Sequence, residues 1–165
     1  SELRRQFIQF LTLYGAEHGG LKALCEDESP KDFLLSMART WQLKMQADHH
    51  AVRVEMVDSD DAPDFWYFDR RLVQLALDAA IHNATRFARS LVQVRVIERD
   101  GWLVWTISDD GEGLGAADPG HSHATGLGTA LAQAVAQAHR LGDRVGHTGL
   151  QSGPTQGATF TLSLP

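Results

Sequence analysis

Asp109-Asp110-Gly111-Glu112-Gly113 stands at the end of a hydrophobic alternation and is the stretch of this sequence best suited to chemistry. A carboxylate there can accept a hydrogen bond from a ligand, and the glycines let a backbone approach it closely. Acidic residues and glycine also end strands as plain tight turns, so a functional and a purely local reading stand side by side. A second pair, Gly126-Leu127-Gly128, opens an apolar helical pattern, where backbone N–H groups can bind phosphate oxygens without a basic side chain. Glycine there also permits close helix packing. No Gly-x-Gly-x-x-Gly and no Gly-Lys-Ser phosphate loop is present, which removes dinucleotide and P-loop readings. Asn83 and Arg86, three residues apart on a predicted helix, project from neighbouring positions. The amide oxygen suits Mg²⁺ when phosphates and water complete its shell, and the guanidinium can neutralise phosphate charge. The plainer reading is a buried structural Asn beside an exposed Arg.

Four of the eight histidines carry weaker signals. His121 and His123 form an x-spaced pair with no cysteine or third ligand nearby. His82 could act as a base, but Asp78 lies four residues earlier and a helix-surface pair accounts for both. His18 precedes Gly19-Gly20, a poor helical context for a phosphoacceptor.

The elements that must position these groups follow from periodicity. Leu3, Phe7, Phe10 or Leu11, and Tyr14 predict an amphipathic helix from Leu3 to about Glu17, closed by Gly19-Gly20. Ser29-Pro30 with Asp32 reads as a helix start, with Leu34, Ala38, Trp41 and Met45 on one face. Val52, Val54 and Met56 alternate as a strand, and the acidic stretch Asp58 to Asp64 is a loop. Asp69 caps a third helix to about Ala88 that places Leu72, Leu75, Ala76, Ala79 and Asn83 on roughly one buried side. Val92, Val94 and Val96 lead through an Asp100-Gly101 hairpin to Leu103, Trp105 and Ile107, and so to Asp109. Leu127, Leu131, Val135 and Ala138 define a fourth helix that stops at Gly142, and Phe160, Leu162 and Leu164 form a last strand. This order predicts one α+β sandwich with mostly antiparallel strands and helices on one sheet face.

Composition narrows the classes. The 165 residues fit one domain with 43% hydrophobic content, and the formal charge of −6 without a basic run argues against a nucleic-acid surface. Cys25 is the only cysteine, so no internal disulfide forms and a reducing, cytoplasmic setting is expected. No apolar run reaches the roughly 20 residues of a membrane helix. The start inside a predicted helix leads us to expect upstream sequence, with the full-length protein open to anchorage in the inner membrane.

Taken together and in this order, the three segments resemble the GHKL ATPases, the superfamily of gyrase, heat-shock chaperones, histidine kinases and mismatch-repair proteins. Leu77 to Phe87 looks like the N box, Asp109 to Gly113 like the G1 box, Thr125 to Leu131 like the G2 box, and Gly157-Ala158-Thr159-Phe160 like the final glycine-threonine motif. Histidine kinases match best, because Phe7 to Leu21 looks like the end of a dimerisation hairpin. The resemblance implies residues 1–20 as the end of that hairpin and 21–165 as a catalytic ATP-binding domain of the GHKL two-layer type. It implies ATP and Mg²⁺ as cofactors, with Asp109 accepting from the adenine amino group and Gly111 and Gly113 shaping the base pocket. Asn83 would hold Mg²⁺, Arg86 would contact phosphate, Gly126, Leu127 and Gly128 would approach the phosphates, and Thr159 would sit by the base. No residue of this chain is assigned as the phosphoacceptor, which is expected upstream of Ser1 on the hairpin. The implied partners are that hairpin and a response regulator, with a homodimeric full-length protein and no nucleic acid.

Three features depart from the family pattern. Ala79 stands where many of these kinases have another asparagine, and Ala124 replaces a glycine before the G2 pair. The lid from Leu114 to Thr125 has only 12 residues and no Phe, Lys or Arg. The short lid supports an alternative, a regulatory GHKL module that binds a partner without phosphoryl transfer. A protein-serine kinase of the anti-sigma type is a third reading, against which the hairpin-like start argues.

Overall fold

The computed structural model describes residues 2–113, 126–152 and 157–165. In chain order its elements are α1 (Glu2–Gly19), β1 (Glu26–Glu28), α2 (Pro30–Ala47), β2 (Arg53–Met56), β3 (Trp66–Phe68), α3 (Arg70–Phe87), β4 (Leu91–Arg99), β5 (Trp102–Asp109), α4 (Leu127–Ala138), β6 (Arg140–Leu141), β7 (Arg144–Val145), β8 (His147–Ser152) and β9 (Ala158–Leu164). The helix starts follow local chemistry. Ser29 Oγ accepts the Asp32 N–H at 3.3 Å with Pro30 in the first turn, and Asp69 Oδ1 accepts the Leu72 N–H at 3.1 Å.

Five strands form the main sheet in the order β2-β4-β5-β9-β8. Only β2 and β4 run parallel; the other neighbours are antiparallel. The β4–β5 hairpin turns at Asp100 and Gly101, whose φ angles of 54° and 81° suit a two-residue loop that needs left-handed backbone twice. Val92, Val94, Val96, Leu103, Trp105, Ile107, Leu162 and Leu164 are buried on one sheet face, against α2, α3 and α4. Phe33, Phe68 and Trp105 meet there with ring centroids 5.5–5.8 Å apart. Full burial of each such side chain is worth about 1.5–3 kcal/mol. The result is the expected two-layer α+β sandwich, and α1 lies outside it against α4.

Several details differ from expectation. The buried stripe of α3 runs through Leu72, Val73, Ala76, Leu77, Ile81, Ala84 and Thr85, so Asn83 is exposed at its border rather than buried. Gly142 does not stop α4, which ends at Ala138 with His139 as its cap; Gly142 turns the small β6–β7 hairpin instead. β1, β3 and β8 were not anticipated. β1 is entirely acidic and β8 is a largely exposed edge strand, so neither shows the apolar alternation that marks a half-buried strand.

Candidate functional site

The antiparallel pairing of β5 with β9 carries Asp109 to the helix-side face at one end of the sheet. Its Oδ1 accepts the Gly111 N–H at 2.9 Å and lies 3.4 Å from the Ala158 N–H. Oδ2 has no hydrogen-bond partner among the described residues. The glycines around it are required by close approach. A Cβ at Gly111 would overlap the Phe87 carbonyl oxygen at the end of α3, and one at Gly157 would overlap the Asp109 carbonyl oxygen. Gly113 and Gly157 also have φ angles of 89° and 94°.

Asp110, to which sequence reasoning gave no role, anchors this turn from the other side. Its carboxylate accepts from the backbone N–H groups of Arg89, Ser90 and Leu91 at 2.8–3.1 Å and from Ser90 Oγ at 2.6 Å. Burial pushes the carboxyl up, but the Ser90 hydroxyl and these N–H groups outweigh it and hold it down at about 2. Adjacent aspartates thus divide the work: Asp110 ties the end of α3 to β4, while Asp109 faces the helix side of the sheet with one oxygen unpartnered among the described residues.

Thr159 is not beside Asp109. Its Oγ1 lies 3.0 Å from Ser108 Oγ, in register with that residue on the sheet face away from the helices. Neighbouring strand residues point to opposite faces, so Ala158 takes the place expected for Thr159.

A second group surrounds a cavity of about 150 Å³ between α3 and the start of α4. Asn83, Arg86, Gly126 and Gly128 line it together, as do Ala79 and Thr129. Leu127, half-buried, does not line it. Gly126 is the N-cap of α4 with φ 55°, a left-handed conformation. A Cβ at Gly128 would come within 3.4 Å of the Ala79 Cβ, so two small residues let α3 and α4 approach closely. Asp109, Gly111 and Gly113 do not line this cavity. The stretch from Leu114 to Thr125, with Ala124, His121 and His123, lies outside the described residues.

Helix α1 completes the cavity wall with Glu2, Arg5, Gln6 and Gln9. Glu2 Oε2 is 3.1 Å from His82 Nε2, and Arg5 Nη1 donates to the Asp78 carbonyl at 3.4 Å. The expected Asp78–His82 surface pair does not form. Asp78 turns inward to accept the Trp41 Nε1–H at 2.9 Å, and burial raises its carboxyl above the usual range despite that bond. Burial, then the Arg5 charge, lowers the His82 imidazole.

No group of three or more His, Cys, Asp or Glu side chains among the described residues is arranged for a metal ion. Asn83 nonetheless presents one neutral oxygen donor on an open cleft, which fits Mg²⁺ if phosphate oxygens and water supply the remaining ligands.

Comparison with known proteins agrees with this fold. The sequence pattern of the family described as histidine kinase-, DNA gyrase B-, and HSP90-like ATPase matches residues 68–165. No curated protein sequence matches the chain. The fold is similar to that of the Acinetobacter baumannii histidine kinase AdeS, at 20% identity and a TM-score of 0.71 over 96% of this chain and 75% of that one. It is similar to full-length ShkA in complex with AMPPNP, at 18% identity and a TM-score of 0.80 over 99% of this chain and 36% of that one. The cytoplasmic segment of histidine kinase QseC is 15% identical, with a TM-score of 0.69 over 98% of this chain and 94% of that one. At such identities the likeness establishes the fold.

Proposed function

The chain belongs to the histidine kinase-, DNA gyrase B-, and HSP90-like ATPase family, and on that premise we propose that it is the ATP-binding catalytic domain of a sensor histidine kinase. The observation that supports this reading is the convergence of Asn83, Arg86, Gly126 and Gly128 on one cleft, alongside the Asp109 carboxylate at the end of β5, whose Oδ2 has no partner among the described residues. In this reading Asp109 accepts a hydrogen bond from the adenine 6-amino group. The N–H groups at the start of α4 and the Arg86 guanidinium hold the phosphates. Mg²⁺ held by Asn83 would neutralise phosphate charge. The γ-phosphoryl group then moves from ATP to a histidine nitrogen on a dimerisation hairpin, leaving ADP, and the protein's contribution is positioning and charge neutralisation. Residues 1–20 are read as the end of that hairpin and 21–165 as the catalytic unit. A response regulator is the proposed downstream acceptor, a homodimer the proposed full-length state, and the cytoplasm the proposed location. Among the described residues no helix is long and apolar enough to cross a membrane.

The regulatory alternative is favoured by one feature, the 12-residue lid without Phe, Lys or Arg. Calorimetric titration with Mg–ATP and Mg–GTP, together with incubation with γ-labelled ATP, separates the readings. We expect ATP to bind, GTP to bind more weakly, and the chain to remain unlabelled because none of its own histidines is read as the acceptor. Failure to bind ATP would overturn the catalytic reading, and an acid-labile, base-stable label on one of the eight histidines would overturn the upstream acceptor.

A further inference from the structure

Helix α1 faces the sandwich with its polar side. Gln9 is buried and Arg5 is directed inward, whereas Leu3, Phe7, Phe10 and Tyr14 are all more than half exposed. Leu13 packs against the core further along the helix, but in the first three turns little apolar area holds α1 in place, and its attachment there relies on a few polar contacts. Arg5 reaches the Asp78 carbonyl and stacks over Trp41, 5.1 Å from the ring centroid. Glu2 reaches His82, next to Asn83. Even these contacts are incomplete, because Arg5 Nε is buried without a hydrogen-bond partner among the described residues, with Glu2 Oε2 3.9 Å away. Such a docking is readily displaced.

The position of the helix gives that displacement a consequence. Glu2, Arg5 and Gln9 line the same cavity as Asn83, Arg86 and Gly126. A triphosphate entering there meets helix atoms in a small volume and a carboxylate of its own sign at Glu2. Building on the nucleotide reading above, we propose that α1 and the phosphates of a nucleotide compete for this one cleft: docked through Glu2 and Arg5, the helix closes the phosphate end, and bound nucleotide releases it. The coupling is reciprocal, so whatever holds α1 down weakens nucleotide binding by the factor with which nucleotide loosens α1. Adenosine, which lacks phosphates, is indifferent to the helix.

The test compares the 165-residue chain with its Arg5→Ala and Glu2→Gln variants, titrating each with Mg–ATP and with adenosine. Loosening α1 is expected to tighten Mg–ATP roughly three- to tenfold while adenosine changes less than twofold. Hydrogen exchange on the unmodified chain is the second measurement, with amides of residues 2–18 expected to exchange faster when Mg–ATP is added. Variants that bind Mg–ATP no better than wild type, or α1 amides that slow or stay unchanged at saturating Mg–ATP, overturn the competition and leave the nucleotide reading standing. If none of the three proteins binds Mg–ATP, the nucleotide reading falls and this inference falls with it.

Discussion

Oδ1 of Asp109 and the backbone N–H of Ala158 face each other at 3.4 Å across the β5–β9 pairing, so one oxygen of this carboxylate serves the fold while the other has no partner among the described residues. The two oxygens make separable predictions.

Asp109→Asn keeps an acceptor for Gly111 and Ala158 and loses the charge at the proposed base site. A hydrogen bond to a charged group is worth roughly 1.5–3 kcal/mol, so ATP affinity should drop by about one to two orders of magnitude and the preference over GTP should shrink. Melting temperature should stay near wild type. A folded variant that binds ATP and GTP as wild type does would remove the adenine site.

Arg86→Ala should weaken ATP by about tenfold or more while adenosine is little affected, since only a charge-assisted contact to phosphate is lost. Calorimetry with both ligands decides this. Equal loss for the two would make Arg86 a structural residue.

Gly157→Ala combines a left-handed φ of 94° with a Cβ that overlaps the Asp109 carbonyl oxygen. Strained backbone of this kind costs about 1–3 kcal/mol before any steric overlap is counted. Denaturant unfolding should therefore show a loss of at least about 2 kcal/mol. A variant as stable as wild type would mean that β9 joins β5 less closely than described.

His139 predicts a pH dependence with a definite sign. Its Nε2 accepts the Asp69 N–H at 3.0 Å and so carries no proton, which leaves Nδ1–H to donate to the Val135 carbonyl at 2.8 Å. Burial pushes the imidazole below its ordinary value, against the opposing pull of Val135 and Asp69. The folded protein then binds fewer protons than the unfolded chain just below pH ~6.5, and the stability present above that pH is lost as pH falls through the lowered folded value. Thermal melts between pH 8 and 5 should show this slope, reduced in His139→Gln. Parallel curves for the two proteins would contradict it.

The parts legible in the sequence were those written in a local code. Ser29, Pro30 and Asp69 announced their helices, Asp100-Gly101 its hairpin, and Leu103, Trp105 and Ile107 the buried face leading to Asp109. Asn83 and Arg86 were found as a pair, and their convergence with Gly126 and Gly128 emerged only when α3 and α4 packed together. What was hidden depended on tertiary contact. The pairing of Thr159 with Ser108 needs the sheet register, although the alternation Phe160, Leu162 and Leu164 already turns Thr159 to the opposite face. The role of Asp110 comes from three backbone N–H groups about 20 positions earlier. Asn83 was assigned to the wrong side of its helix because alanines at 76, 79, 80 and 84 blur the boundary of the apolar stripe.

The strand order also bears on how the molecule is made. β9 lies between β5 and β8 in the sheet, yet it is translated long after β5; Ala158 follows Asp109 by 49 positions. At about 5–20 residues per second, ribosomes leave an interval of roughly 2–10 s in which β5 has been synthesised and its later neighbour has not. Throughout that interval one edge of β5, bearing Leu103, Trp105 and Ile107, is a row of unpaired backbone donors and acceptors open to any extended segment nearby. The nascent chain is thus open to faulty association at the strand that ends in Asp109, and arrival of residues 158–164 closes the edge and brings Ala158 to that carboxylate together.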